Sequence, residues 1–431
     1  MTAPASGSPV QRQQAPTGPV GRQRWSRLLP IAFITYSLAY LDRSNFSVGI
    51  AGGMKTDLGL TSGTSALIGA SFFLGYFLFQ VPGALYAERR SVKGLIFWSL
   101  IAWGLLASVQ GLLSSVTALV ATRFLLGVVE GAVLPAMVIL LSRWFTRSER
   151  GQANSVLILG NPITVLWLTV LSGYLIELTS WRGMFILEGL PAIAWAFYFR
   201  AKVDDHPEQS AWLDPAERDA VTSRLAEEQE DITPVDGYRA AFRSRAVVLL
   251  SVQYLLWSLG VYGFVFWLPS IVKAGSGAGI GATGLIAAAP YLLAAVLMVA
   301  NSRMSDRSGR RSRHVWPWLI LGALGFYGSY LFGAAHFWPS FVLLVIAGGA
   351  MYAPYGPYFA YISEVLPQRV AGPSVALINS FGALGGFVGT YVVGWLNGAT
   401  GGNSLSFLVL AVSLAAAAIL MPFARAGRRV A

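Results

Sequence analysis

Four ionisable residues interrupt apolar stretches in the first third of the chain: the adjacent pair Asp42 and Arg43, and Arg123 and Glu130, seven residues apart. Each falls in a run long enough to cross a bilayer. A charged side chain at the centre of such a run costs about 2.5 kcal/mol or more, so these residues mark ion or substrate pathways by default. Two acids and two arginines cancel when ionised. A bound carboxylate would add one negative charge, and one proton on Asp42 or Glu130 would restore neutrality. Arg43 offers a planar fork of donors that fits a carboxylate. Asp42 and Glu130 are then the proton carriers, with Arg123 their coupling partner.

Their depths can be checked against one another. Asp42 lies fourteen residues after Leu28, roughly 21 Å along a helix, while Arg123 lies about 9 Å below the far end of an oppositely directed span. In a hydrocarbon core about 30 Å thick these depths coincide, and an Asp42–Arg123 pair is expected. Arg123 and Glu130 share a helix face. Arg43 is turned by roughly 100° from Asp42 and needs its own partner. A static salt-bridge network is the competing reading, but buried ion pairs seldom stabilise more than apolar packing would.

The elements that hold these residues follow from composition. Of 431 residues 55% are hydrophobic and only 12% charged, about half the charge that a soluble surface carries. A soluble enzyme, a nucleic-acid binder and a disordered protein are excluded as classes, since the net charge of +11 is explained by arginines flanking spans. There is no cysteine, so thiolate metal sites and disulfides are ruled out. No catalytic triad, metal cluster or phosphate loop is visible, which predicts a non-enzyme without cofactor or metal.

Twelve spans are predicted, near 28–50, 63–86, 93–114, 117–141, 151–176, 182–199, 246–273, 279–301, 315–335, 338–362, 370–396 and 403–424. Residues 1–27 read as a disordered tail, 28–199 and 246–424 as two six-helix halves, and 425–431 as a second tail. Arginine clusters at Arg12 to Arg27, Arg89/Arg90, Arg143 to Arg150, Arg303 to Arg313 and Arg425 to Arg429 fall on one side. The positive-inside rule then places both termini in the cytoplasm, in a plasma membrane. The linker 200–245 holds eleven of the twenty acids. Asp214, Pro215 and Glu217 predict a short amphipathic helix there, with Asp214 as N-cap and Glu217 closing a capping box.

The halves repeat. Residues 302–311 (Ser-Arg-Met-Ser-Asp-Arg-Ser-Gly-Arg-Arg) and 84–93 (Ala-Leu-Tyr-Ala-Glu-Arg-Arg-Ser-Val-Lys) both follow the second span of their half. Repeated halves place a transport site at their interface, near mid-membrane. The loop resembles the Gly-x-x-x-Asp-Arg-x-Gly-x-Arg/Lys motif of the major facilitator superfamily, with Ser302 replacing the first glycine and Ala84, Glu88 and Ser91 weakening the other copy. Four further segments are similar to the anion:cation symporter family: Leu41 to Asn45, Arg123 to Glu130, Trp181 to Gly189 and Ala376 to Gly386.

The resemblance implies a twelve-helix, all-α membrane protein of the major facilitator fold, working as a monomer. It implies a proton-coupled symporter of a small organic anion, with the same roles for Asp42, Arg43, Arg123 and Glu130. Tyr76 and Asn379 match positions where the family contacts its substrate. Gln253 and Tyr355 are further candidates to line the pocket, and Trp257 and Tyr262 would give it a flat aromatic wall. A sugar acid, a tartrate-like acid and an aromatic acid all remain open. A drug/proton antiporter and a non-transporting anion sensor are the rivals; the arginines argue against a cationic drug. Glu188 is read as a packing or gating residue.

Overall fold

The computed structural model describes residues 22–230, 244–333, 336–365 and 368–423, and among these all regular structure is helical. The first half holds α1 (Gln23–Gly49), α2 (Ser62–Arg89), α3 (Val92–Gln110), α4 (Val116–Gly131, continued by Val133–Trp144), α5 (Arg147–Leu178) and α6 (Trp181–Lys202). The second holds α7 (Arg245–Ser276), α8 (Ile280–Ser308), α9 (Trp316–Phe332), α10 (Phe337–Tyr352, continued by Tyr355–Val365), α11 (Gln368–Thr400) and α12 (Ser404–Leu420). These are the twelve predicted spans. Several begin at hydroxyl N-caps: the side chains of Thr61, Ser91, Ser115 and Ser180 accept from backbone N–H groups two or three residues into α2, α3, α4 and α6. Eleven of the spans are apolar enough to cross a membrane by length and composition. The remaining one is α1, whose run is diluted by Arg24, Arg27, Asp42 and Arg43.

Helix α1 starts at Gln23, five residues before the predicted start of the first span at Leu28. The cause is Arg24. Its side chain is fully buried, pairs with Glu149 at 2.5 Å and Glu217 at 3.8 Å, and donates to the Trp144 carbonyl at 2.9 Å. The other predicted tail residues, 1–21 and 425–431, lie outside the described residues, as do 231–243 of the linker.

The linker helix spans Pro215–Glu230, and the Asp214 carboxylate caps it by accepting from the N–H groups of Ala216 and Glu217. The expected capping box does not close. Glu217 turns to Arg24 instead, and the Asp214 N–H donates to the Gln23 side chain. The linker is thereby docked on the first half, where Trp212 stacks on Trp144 and Asp205 accepts from Lys93 N–H and Ser91 Oγ at the start of α3. A carboxylate at a helix N-terminus is favourable there, and it ties down the weaker copy of the repeated loop motif.

Two breaks matter for the site. Pro135 has no N–H to give to the Gly131 carbonyl, so α4 is interrupted one residue after Gly131, beside Glu130. In α10, Pro354 and Pro357 free backbone carbonyls between Ala350 and Ala353. Two side chains satisfy carbonyls at this break: Asn301 of α8 donates to Ala353 and Trp257 of α7 donates to Met351, each at 2.9 Å.

Helices α2 and α4 touch backbone to backbone. A Cβ on Gly127 would lie 1.9 Å from the Phe72 carbonyl oxygen, and one on Gly75 would lie 2.1 Å from that of Phe124. Gly127 sits between Arg123 and Glu130, so this approach sets where both point. Gly127→Ala is therefore expected to cost about 1–3 kcal/mol through overpacking. Thermal unfolding of the purified protein in detergent should show a lower midpoint; an unchanged one would contradict the close approach.

Candidate substrate and coupling site

The halves meet tightly at the face opposite the linker. Gly394 of α11 lies against Ala66 of α2, Gly284 of α8 against the Thr169 backbone of α5, and the Glu177 carboxylate accepts from Gly281 N–H at 2.9 Å. Deeper, Ser380 of α11 donates to Gln80 of α2. Small residues are what let membrane helices approach this closely. Between these contacts lies a cavity lined by Tyr40, Arg43, Ser44, Phe73, Tyr262 and Tyr352, among others. Its volume is about 10 Å³, room for a single water at most. The site is closed around Arg43.

Arg43 projects from α1 among aromatic rings, its guanidinium 4.6 Å from the Tyr40 ring centre, 4.7 Å from Tyr76 and 5.2 Å from Phe72. Its polar contacts are few: the Tyr262 hydroxyl at 3.5 Å, the Glu130 carboxylate at 3.8 Å and the Tyr76 hydroxyl. Its Nε has no partner. Arginine carries five N–H donors, so part of this fork is unspent. Tyr262 also shares a hydrogen bond with Tyr40 across the halves at 3.2 Å, and Asn161 donates to the Tyr40 hydroxyl.

Glu130 is buried, and neither carboxylate oxygen accepts a hydrogen bond. Asp42 points the other way, as the 100° rotation required. Asn45 donates to its Oδ1 at 3.3 Å, and its Oδ2 has no partner. Asp42 and Arg123 do come together, but not as the predicted carboxylate pair: Arg123 Nη1 donates to the backbone carbonyl of Asp42 at 2.9 Å. The helical i to i+4 ladder supplies at most one bond per carbonyl, so a second acceptor site remains for the guanidinium. Phe72 lies 5.2 Å from the Arg43 guanidinium and 5.3 Å from that of Arg123, a ring face for each cation between them.

Of the other predicted pocket residues, Tyr76 is under Arg43, while Tyr355, Gln253 and Asn379 are not in the cavity wall. Tyr355 stacks behind Tyr352 at 5.5 Å. Gln253 is fully buried with both amide atoms unpartnered, and Asn379 is half-buried beside Ser380. Trp257 is spent on the α10 break, whereas Tyr262 does line the cavity. Sequence reasoning missed Tyr40, Tyr352 and Asn45. Asn45 lies three residues from Asp42, one helical turn, and that spacing was the available signal. It also missed Glu188, which lies near Asn45 and whose carboxylate accepts from Ser172 at 2.6 Å. Glu188 is thus a second buried carboxylate in the neighbourhood of Asp42.

Two repeated six-helix halves closing around a buried, charge-balanced site define a secondary transporter rather than an enzyme. Residues 32–390 match the family model described as Major Facilitator Superfamily. The chain belongs to that superfamily, and within it to the anion:cation symporter type. A protein of Agrobacterium vitis named "Putative tartrate transporter" is 31% identical over 402 residues, 91% of this chain and 88% of that one. The "Quinolone resistance transporter" of Acinetobacter baumannii is 27% identical over 395 residues, 90% of each. The inward-open structure of the xylose transporter XylE from E. coli has a TM-score of 0.74 at 14% identity, covering 91% of this chain and 94% of that one.

Proposed function

We propose that this protein is a proton-coupled symporter that carries a small organic carboxylate into a bacterial cell across the inner membrane, with linker and termini on the cytoplasmic side. The observation that carries this reading is Arg43, a buried cation at a cavity between the halves, whose donors are not all committed. A carboxylate is the anion its fork fits. Glu130, 3.8 Å away and otherwise unpartnered, is the group that must take a proton when a substrate claims Arg43. Asp42 is the second carrier, and Arg123 holds its backbone in place. Because the closed cavity admits no more than a water, the halves must part to admit substrate, which is the alternating-access movement.

Tartrate, the substrate in the name of an Agrobacterium relative, is the first compound to test. The aromatic wall of Tyr40, Phe73 and Tyr262 keeps aromatic acids alongside it. A drug antiporter is the second reading, prompted by the quinolone-resistance relative; a cavity centred on an arginine disfavours cationic drugs. In proteoliposomes, labelled tartrate or an aromatic acid should accumulate under an acid-outside gradient and merely equilibrate without one. Uptake that ignored the gradient would remove proton coupling, and failure of every carboxylate in a thermal-shift panel would remove the substrate class.

A further inference from the structure

We propose a second binding site, for an anionic glycerophospholipid, in the cleft between the linker-side ends of α1 and α6. The cleft has a volume of about 350 Å³ and is lined by Ser26, Arg27, Pro30, Ile31 and Ile34 of α1 and by Trp195, Tyr198 and Lys202 of α6. It lies outside the helix interface that holds Arg43, and Ile34 and Tyr198 at its rim are 37% and 46% exposed, so it opens toward lipid. The lining is graded. Arg27 and Lys202 stand at the helix ends, where the membrane interface falls, and Pro30, Ile31, Ile34 and Trp195 lead about 10 Å into the hydrocarbon.

Charge selects the occupant. Several neighbouring cations on this face have acid partners: Arg24 with Glu149, Lys93 with Asp204, Arg143 with Asp205, Arg150 with Glu228. Among the described residues, Arg27 and Lys202 have none. Arg27 stacks its guanidinium face on Trp212 at 4.5 Å, which leaves the in-plane N–H donors for an anion. The preceding segment of the chain cannot supply the counter-charge, since residues 1–21 contain Arg12 and no acid. A lipid phosphate bridging Arg27 and Lys202 can. Pro30 has no N–H for the Ser26 carbonyl, which leaves an acceptor beside that phosphate for a glycerol hydroxyl. Below it, Trp195 is fixed by donating its indole N–H to Thr35 at 2.9 Å and by stacking on Tyr198, giving an acyl chain a rigid flat wall.

Native mass spectrometry of the full-length protein in detergent tests this, with phosphatidylglycerol and phosphatidylcholine as probes. Phosphatidylglycerol should be retained preferentially. Lys202→Gln, an exposed substitution, should weaken its retention about fivefold, and adding Arg27→Gln should weaken it about twenty-fivefold, each cation near a membrane surface being worth a factor of about five. Ile34→Trp, which fills the cleft and keeps both charges, should also lose the lipid. Equal retention of the two lipids overturns the proposal, as does unchanged phosphatidylglycerol binding in Ile34→Trp. Displacement by millimolar inorganic phosphate overturns it too, because the site would then read only a free anion.

Discussion

Arg43→Lys is expected to lower carboxylate uptake about a hundredfold although the charge at the site is unchanged. Two charge-assisted bonds to one carboxylate, each worth about 1.5 kcal/mol, amount to about 3 kcal/mol, or two powers of ten. Lysine keeps the positive charge but presents a point donor on a flexible stem in place of a planar fork. It also loses the ring contacts with Tyr40, Tyr76 and Phe72 that hold the guanidinium at the cavity rather than against Glu130. Because the four-charge sum stays at zero, the variant should fold, and its thermal midpoint in detergent provides that control. Initial rates of labelled substrate uptake in proteoliposomes measure the effect. Transport within about threefold of the parent would mean that charge alone is read at this position and that the fork is irrelevant.

The legibility of this molecule divides along physical lines. Span number and placement follow from apolar run length, because lipid forbids any other way of satisfying the backbone. The helix ends are read well where a hydroxyl cap or an arginine cluster marks them, as at Thr61 and Ser180. They are read poorly at Gln23, where the helix continues because two acids far away in sequence, Glu149 and Glu217, neutralise Arg24. The site divides in the same way. Asp42, Arg43, Arg123 and Glu130 stand out because charge in an apolar run has a known cost. Depth arithmetic brings Asp42 and Arg123 to one level but cannot tell a carboxylate contact from a carbonyl contact. That distinction depends on the rotation of α1, whose end packs through Gly49 on Phe185. Neutral polar residues carry no comparable penalty. Gln253 and Tyr355 therefore look, from sequence, as good as Tyr40 and Tyr262, and the fold alone separates them.

Glu130→Gln should abolish gradient-driven accumulation while leaving substrate exchange intact. The reason is competition for Arg43. In the closed site the Glu130 carboxylate has that guanidinium as its ion-pair partner, at 3.8 Å, with Arg123 farther off, and it accepts no hydrogen bond. A substrate carboxylate that takes the arginine strands a buried anion, which is far more costly than protonating it. Proton and substrate must therefore bind together. Glutamine keeps the shape and removes the anion, so Arg43 is free for substrate at every pH. Counterflow of labelled against unlabelled substrate should continue, its apparent affinity should lose its dependence on external pH, and an acid-outside gradient should no longer concentrate substrate. Asp42, displaced from the cavity and held by Asn45, can still carry a second proton. With both carriers, one monoanion crosses with a net positive charge, and each 100 mV of potential contributes about 2.3 kcal/mol. In Glu130→Gln that response should vanish, because Asp42 is held by Asn45 rather than by Arg43 and its proton is not tied to substrate binding. Should the variant still accumulate substrate in response to an imposed potential, the coupling assigned to Glu130 belongs to another group, and Glu188, near Asp42 and Asn45, is the next buried carboxylate to substitute.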